Sequence, residues 1–179
     1  MTQWKKIPVT VLYGGLASLA MILFTIGTWR AGPQAFMSIG FFRYLIPPVF
    51  AIAAMLVERH RVGYLDFRPA LKICFGIIVI AFAIQGLFTW ILCQFIDPAF
   101  DRALRPIELA NEAAWYRRLG MQEDDIRTSI DAMKDIDPFG PGSIAFGLAK
   151  TYVPFFLIAV LLAAVVKRKK SAEAPNKNL

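Results

Sequence analysis

Charge is scarce in this chain. Of its 179 residues only 18% are Asp, Glu, Lys or Arg, against about a quarter in a typical soluble domain. Cysteine occurs twice and histidine once. Two cysteines exclude a disulfide scaffold, and with a single histidine they leave almost no soft donors for a metal site. No Gly-rich phosphate loop, His-Glu-x-x-His or Gly-x-Ser-x-Gly pattern is present. Low hydrophobicity, which disorder requires, is also missing: 57% of the residues are hydrophobic and the mean hydropathy is +0.52.

What is there is a set of long apolar runs. A bilayer core about 30 Å thick needs about 20 apolar residues as helix. Val9 to Trp29 is a run of 21 residues without a charge, and Ile73 to Ile96 is one of 24. Phe36 to Val57 carries one charge, Arg43, and Ser143 to Val166 carries one, Lys150. The runs are continuous, whereas barrel strands alternate over about ten residues. The expected fold is therefore an all-α integral membrane bundle with spans at 9–29, 36–57, 70–96 and 143–166. These make a single domain over residues 1–170. Lys5 and Lys6 precede the first span as in a signal peptide, but the run exceeds the 7–15 residues of such an h-region, so it reads as an anchor.

Orientation follows the basic residues of the short connections. Eleven of them fall on one side: Lys5 and Lys6; Arg59, Arg61, Arg68 and Lys72; Lys167 to Lys170 and Lys177. The segment 97–142 has six basic and ten acidic residues. Both termini and the 58–72 loop are thus expected in the cytoplasm and 97–142 outside. The formal charge of +7 then reflects basic residues that border spans, where anionic lipid attracts them, and no nucleic-acid partner is expected.

Local signals punctuate this plan. Gly32-Pro33 breaks the chain after the first span, and Asp66 is placed to cap the third. Asp97-Pro98 ends that span. Residues 98–119 then have helical composition, with Gly120 as a stop. Glu123, Asp124 and Asp125 suit the start of a second short helix, whose Ile126, Ile130, Met133 and Ile136 form one face. The expectation is an extracytoplasmic helical hairpin, with Trp115 and Tyr116 at the interface. Residues 137–142 break the chain again before the last span, and the polar tail 171–179 is expected to be disordered.

The order of these features resembles a known family. A helical pair is followed by Gly63-Tyr64-Leu65-Asp66-Phe67-Arg68-Pro69-Ala70-Leu71-Lys72, then by a span ending Phe95-Ile96-Asp97-Pro98. An outer segment reads Gly120-Met121-Gln122-Glu123-Asp124-Asp125-Ile126, and the last span ends Ala163-Ala164-Val165-Val166-Lys167-Arg168-Lys169-Lys170. This resembles the bacterial family of small membrane proteins catalogued as domain of unknown function 4199. The resemblance covers nearly the whole chain. It implies a four-helix protein of the bacterial cytoplasmic membrane and brings no catalytic residues with it.

Catalytic material is thin. His60 lies in the basic loop beside Glu58, Arg59 and Arg61. Cys74 and Cys93 are 19 residues apart on one helix, about 28 Å at 1.5 Å per residue, so they cannot bridge. The spans hold neither aspartate nor histidine, as intramembrane proteolysis would need. No enzyme activity, metal or cofactor is expected.

The informative residues are the two charges within spans. Arg43 is followed at four residues by Pro47 and Lys150 by Pro154; Pro48 stands in the same relation to Tyr44. A proline at that offset deprives the earlier carbonyl of its helical donor, so kinks are expected at Pro47, Pro48 and Pro154. The plainer reading of the basic side chains is snorkelling to outer phosphates, with Tyr44 and Tyr152 as interfacial anchors. The sharper one joins Arg43, Lys150, Tyr44 and Tyr152 in an outward-facing site for an anion, a lipid headgroup, or carboxylates such as Asp97 and Asp101. Transport would need a second, inward-facing polar set, for which Gln85, Thr89 and Gln94 are the candidates. Small residues at helical spacing (Gly14, Ser18, Met21, Thr25 and Thr28 in the first span) point to close helix packing. So do Ala51 and Ala54, Gly76, Ala83 and Gly86, and Gly147 and Thr151 in the others. The first functional expectation is an accessory or structural membrane subunit that contacts lipids, other subunits or itself. The alternative is a small carrier or lipid/anion-binding protein built on Arg43 and Lys150.

Overall fold

The computed structural model describes residues 8–134 and 140–167, and among these the chain is helical with no strand. Lys5, Lys6, Ile136, the break at 137–139, Lys169, Lys170 and the tail 171–179 lie outside the described residues. The helices are α1 (Val9–Arg30), α2 (Pro33–Ile39), α3 (Ile46–Val62), α4 (Phe67–Ile91), α5 (Pro98–Arg118), α6 (Glu123–Lys134) and α7 (Pro141–Val166). A 3-10 segment, Gly40–Leu45, joins α2 to α3, and a π turn, Leu92–Ile96, follows α4. Four stretches are long and apolar enough to cross a membrane: Val9–Arg30, Pro33–Val62, Phe67–Ile96 and Gly142–Val166. The second and third are longer than the charge-free runs suggest. Proline is tolerated in a first helical turn, so the second span starts at Pro33 and the third at Phe67, ahead of Pro69.

Helix α4 lies against α1, α3 and α7. Its seam with α1 is the tightest. Gly14, Ala17, Ser18, Met21, Thr25 and Thr28 form the buried face of α1. A Cβ on Gly14 would stand 2.9 Å from Ile80 Cγ2, and one on Gly76 would stand 2.7 Å from Thr10 Cγ2. These two glycines let the backbones approach. Two hydroxyls on this face bond back to their own helix, and that of Thr25 meets α4. Ser18 Oγ donates to the Gly14 carbonyl at 2.7 Å, and Thr28 Oγ1 donates to that of Thr25 at 3.1 Å. Ala51 and Ala54 are likewise fully buried. At the far end of α3, Arg59 Nη1 donates to the Val166 carbonyl at 3.3 Å, satisfying a free acceptor at the α7 C-terminus with a cation.

The expected caps are met in part. Gly32, Gly63 and Gly120 have positive φ (100°, 81° and 78°), and Gly120 ends α5 through Met121 N–H to the Tyr116 carbonyl at 3.2 Å. Asp66 occupies the N-cap position of α4 in extended backbone, but its side chain makes no capping bond. That carboxylate is exposed, where water serves it as well as the backbone does.

Asp97 is the working cap. It accepts from Phe100 N–H at 3.0 Å and from Trp29 Nε1 at 3.1 Å, tying the end of α1 to the start of α5. Phe36, Phe100 and Leu104 pack beneath this link with Trp29 and Met37 alongside, so α5 rests on α2. α6 in turn packs on α5 through buried Ile126. Arg105 donates to the carbonyls of Met133 and Lys134, closing the end of α6. Arg117 pairs with Glu123 at 2.7 Å across the turn.

Candidate functional site

The double proline shapes the second span. Pro47 and Pro48 cannot donate to the carbonyls of Arg43 and Tyr44, and the chain answers by starting a new α-helix at Ile46 with the prolines in its first turn. The residues ahead of it, Gly40–Leu45, wind as 3-10 helix, and Ile46 N–H bonds the Arg43 carbonyl. That i→i+3 bond supplies the donor which Pro47 withholds. Pro154 acts alone, and α7 runs from Pro141 to Val166 without interruption.

Arg43 is half-buried. Its guanidinium lies 5.4 Å from the Phe36 ring centroid and 5.3 Å from that of Tyr44, both within cation–π range. It borders a crevice of about 270 Å³ where α1, the 3-10 segment, α4 and α7 meet. The polar walls are Arg43, Gln85, Thr89, Ser143 and Thr151, and the apolar ones include Met21, Phe82 and Leu148. Lys150 faces elsewhere. It is exposed, with its ammonium 4.8 Å from the centroid of Phe146, one turn back toward the helix start as a snorkelling lysine would lie. It tops a separate apolar groove of about 450 Å³ whose walls include Phe41, Leu45, Pro154, Phe155 and Ile158. Tyr44 and Thr151 border both spaces, so they form the partition between the two cations.

The two tyrosines share Phe82 as a neighbour. The rings of Tyr44 and Tyr152 lie 5.7 and 6.5 Å from Phe82, and the Tyr152 hydroxyl donates to the Val79 carbonyl at 3.2 Å. They belong to an aromatic cluster with Phe75 and Phe155 that joins α4 to α7.

Neither Arg43 nor Lys150 has an ion-pair partner among the described residues. Asp97, one carboxylate expected near them, is instead engaged by Trp29 and Phe100. A half-buried guanidinium without an anion retains unmet hydrogen-bonding capacity.

Gln85 completes the crevice. It is 5% exposed. Its Nε2 donates to Thr25 Oγ1 at 2.8 Å and to Thr89 Oγ1 at 3.2 Å, while its Oε1 has no partner among the described residues. An orphaned buried acceptor costs about 1–3 kcal/mol. Sequence reasoning set Gln85 and Thr89 apart as a second, inward-facing set; the structure puts them on the same walls as Arg43. The available signal was their i,i+4 spacing in an otherwise uncharged span, but which way that face turns depends on the packing of α4.

Outside the spans, burial raises the Glu108 carboxyl above its ordinary value and neighbouring Arg105 opposes this. His60 is exposed, and Cys74 and Cys93 are buried. Among the described residues no three His, Cys, Asp or Glu side chains cluster to hold a metal ion.

The chain belongs to the family described as Protein of unknown function (DUF4199), whose model matches residues 11–168. No curated protein and no solved structure matches it.

Proposed function

We propose that this DUF4199 member is a non-enzymatic multi-pass protein of the bacterial cytoplasmic membrane that holds the anionic group of a lipid or small ligand at Arg43. The observation that carries this reading is a guanidinium on the wall of a crevice among the long apolar helices, with no carboxylate paired to it among the described residues. In a low-dielectric setting a phosphate or carboxylate is the natural counter-charge, and Arg can engage it through two parallel N–H donors. Lys150 serves as a second, outer contact for anionic headgroups, and Tyr44 divides the two. Both termini face the cytoplasm and α5–α6 lies outside, because the basic residues bordering the spans concentrate on the terminal side.

The test is lipid retention. Protein purified in mild detergent carries bound phospholipid, quantified by mass spectrometry, and Arg43→Ala lowers it about tenfold, the loss of one charged hydrogen bond. Unchanged retention ends this reading. A reporter fused after Lys170 is active only on the cytoplasmic side, and an external signal there reverses the orientation.

A second reading, an accessory or structural subunit, draws on α7. Val153, Leu157, Leu161 and Val165 are 61–81% exposed along it, a continuous apolar stripe open to lipid or to another membrane helix. Co-purification of a stoichiometric membrane subunit that α7 cross-links would favour it.

A further inference from the structure

The Arg43 reading leaves open what distinguishes one anionic ligand from another, and Gln85 bears on that question. A buried amide with both donor bonds made and its carbonyl oxygen unpaired lines the same crevice as an uncompensated guanidinium. One lining residue asks for an anion and another for an N–H or O–H donor. At about 270 Å³ the space falls just below the usual range for drug-sized ligands, which fits a headgroup rather than a whole lipid. The apolar walls formed by Met21, Phe82 and Leu148 give nothing to a free polar solute.

Resting on the Arg43 reading, we infer that the crevice selects a phospholipid headgroup bearing a hydrogen-bond donor beyond its phosphate, with the phosphate on Arg43 and an ammonium, as in phosphatidylethanolamine, on Gln85 Oε1. Neighbouring side chains cover Oε1 from bulk water, so the ammonium reaches it through a side-chain shift in the wall, where unbranched Met21 is the softest member. Phosphatidylcholine has the same net charge and the same phosphate, but its trimethylated nitrogen carries no N–H. It satisfies Arg43 and leaves Gln85 unpaired. The Thr25 and Thr89 hydroxyls hold the amide in place from two helices.

The experiment is a lipid titration of the delipidated full chain in detergent, followed by native mass spectrometry, with phosphatidylethanolamine and phosphatidylcholine of identical acyl chains. Wild type binds the ethanolamine lipid about tenfold more tightly, the worth of one added hydrogen bond to a charged group. Gln85→Leu brings the two affinities together without abolishing binding. Gln85→Met, which keeps the side-chain length without the amide, does the same and separates lost pairing from lost packing. Arg43→Gln weakens both lipids alike. Equal affinities in wild type, with Arg43 still required, overturn the headgroup selection and leave the Arg43 reading standing. A preference that survives both Gln85 variants overturns the role of Gln85. Binding indifferent to Arg43→Gln defeats the underlying reading instead. Soluble phosphoethanolamine that displaces the lipid at equal concentration overturns the lipid as the source and assigns the crevice to a soluble phosphate ester.

Discussion

Arg43 and Lys150 occupy equivalent places in sequence, each four residues ahead of a proline within an apolar span, yet their surroundings differ in almost every respect. Arg43 sits in a 3-10 segment, half-buried beside two rings, on a crevice that also holds Gln85 and Thr89. Lys150 sits in uninterrupted α-helix, exposed, above an apolar groove. One proline more accounts for much of this. A single missing donor at Pro154 is absorbed within α7, whereas Pro47 with Pro48 removes two successive donors and the helix restarts. Restarting winds the preceding six residues more tightly, at three residues per turn rather than 3.6, and so rotates Arg43 relative to α3. The comparison teaches that a charge within a span is placed by the backbone defect beside it as well as by its depth.

The strongest way to break the contrast is to give α7 the same defect. Val153 is 68% exposed, so Val153→Pro reproduces the double proline while sacrificing almost no packing. Within a helix whose N-terminal turns already rest on α4, the lost hydrogen bond and the ring clash are expected to cost about 3 kcal/mol or more, read as a lowered thermal midpoint in detergent. A variant as stable as wild type would show that one proline more does not decide whether a span restarts.

Charge removal comes next. Arg43→Ala is expected to lower phospholipid retention about tenfold, whereas Lys150→Ala lowers it by less than about fivefold, since an exposed cation held only by one ring contributes under about 1 kcal/mol. Equal losses would make the two residues one site and remove the partition formed by Tyr44 and Thr151.

The tyrosines give a smaller split. Tyr152→Phe deletes the hydroxyl bonded to the Val79 carbonyl and is expected to cost about 1 kcal/mol. Tyr44→Phe leaves the ring contacts with Phe82 and Phe155 and deletes no hydrogen bond found among the described residues, so its thermal midpoint should stay with wild type. The reverse order would place the working hydroxyl on Tyr44.

How much of this was legible in the sequence depended on range. Apolar length is a local property, so the four spans could be read directly. The face of α1 could be read too, because Gly14, Ser18, Met21, Thr25 and Thr28 follow helical spacing and all are buried. Rotation of one helix against another is not local. Ala83 is exposed and Gly147 borders the crevice with nothing near its missing side chain, although their spacing resembles that of the packed glycines. The bond from Trp29 to Asp97 spans 68 residues, and no periodicity announces it. The crevice has the same origin: Arg43, Gln85 and Thr151 come from three spans, and only the packing of α4 against both neighbours brings them together.

The smallest expected effect belongs to neither basic element but to the connection between α5 and α6, where Arg117 meets Glu123 in solvent. The guanidinium, by hydrogen bond and charge, holds the Glu123 carboxyl below its ordinary value of 4.5. A carboxyl lowered in the folded state binds its proton more readily when unfolded. The pair therefore supports the turn above the ordinary carboxyl range, and that support is lost as the pH falls through the lowered value. Amide exchange at Glu123 to Ile126, corrected for the intrinsic pH dependence of exchange, should show less protection in acid than at neutral pH, and Arg117→Gln should flatten the difference. The residues that line the Arg43 crevice should show no such change over the same range. If protection there falls in step with that at Glu123, the crevice and the α5–α6 connection unfold as one unit, and the contrast between a site inside the spans and a solvated pair outside them no longer holds.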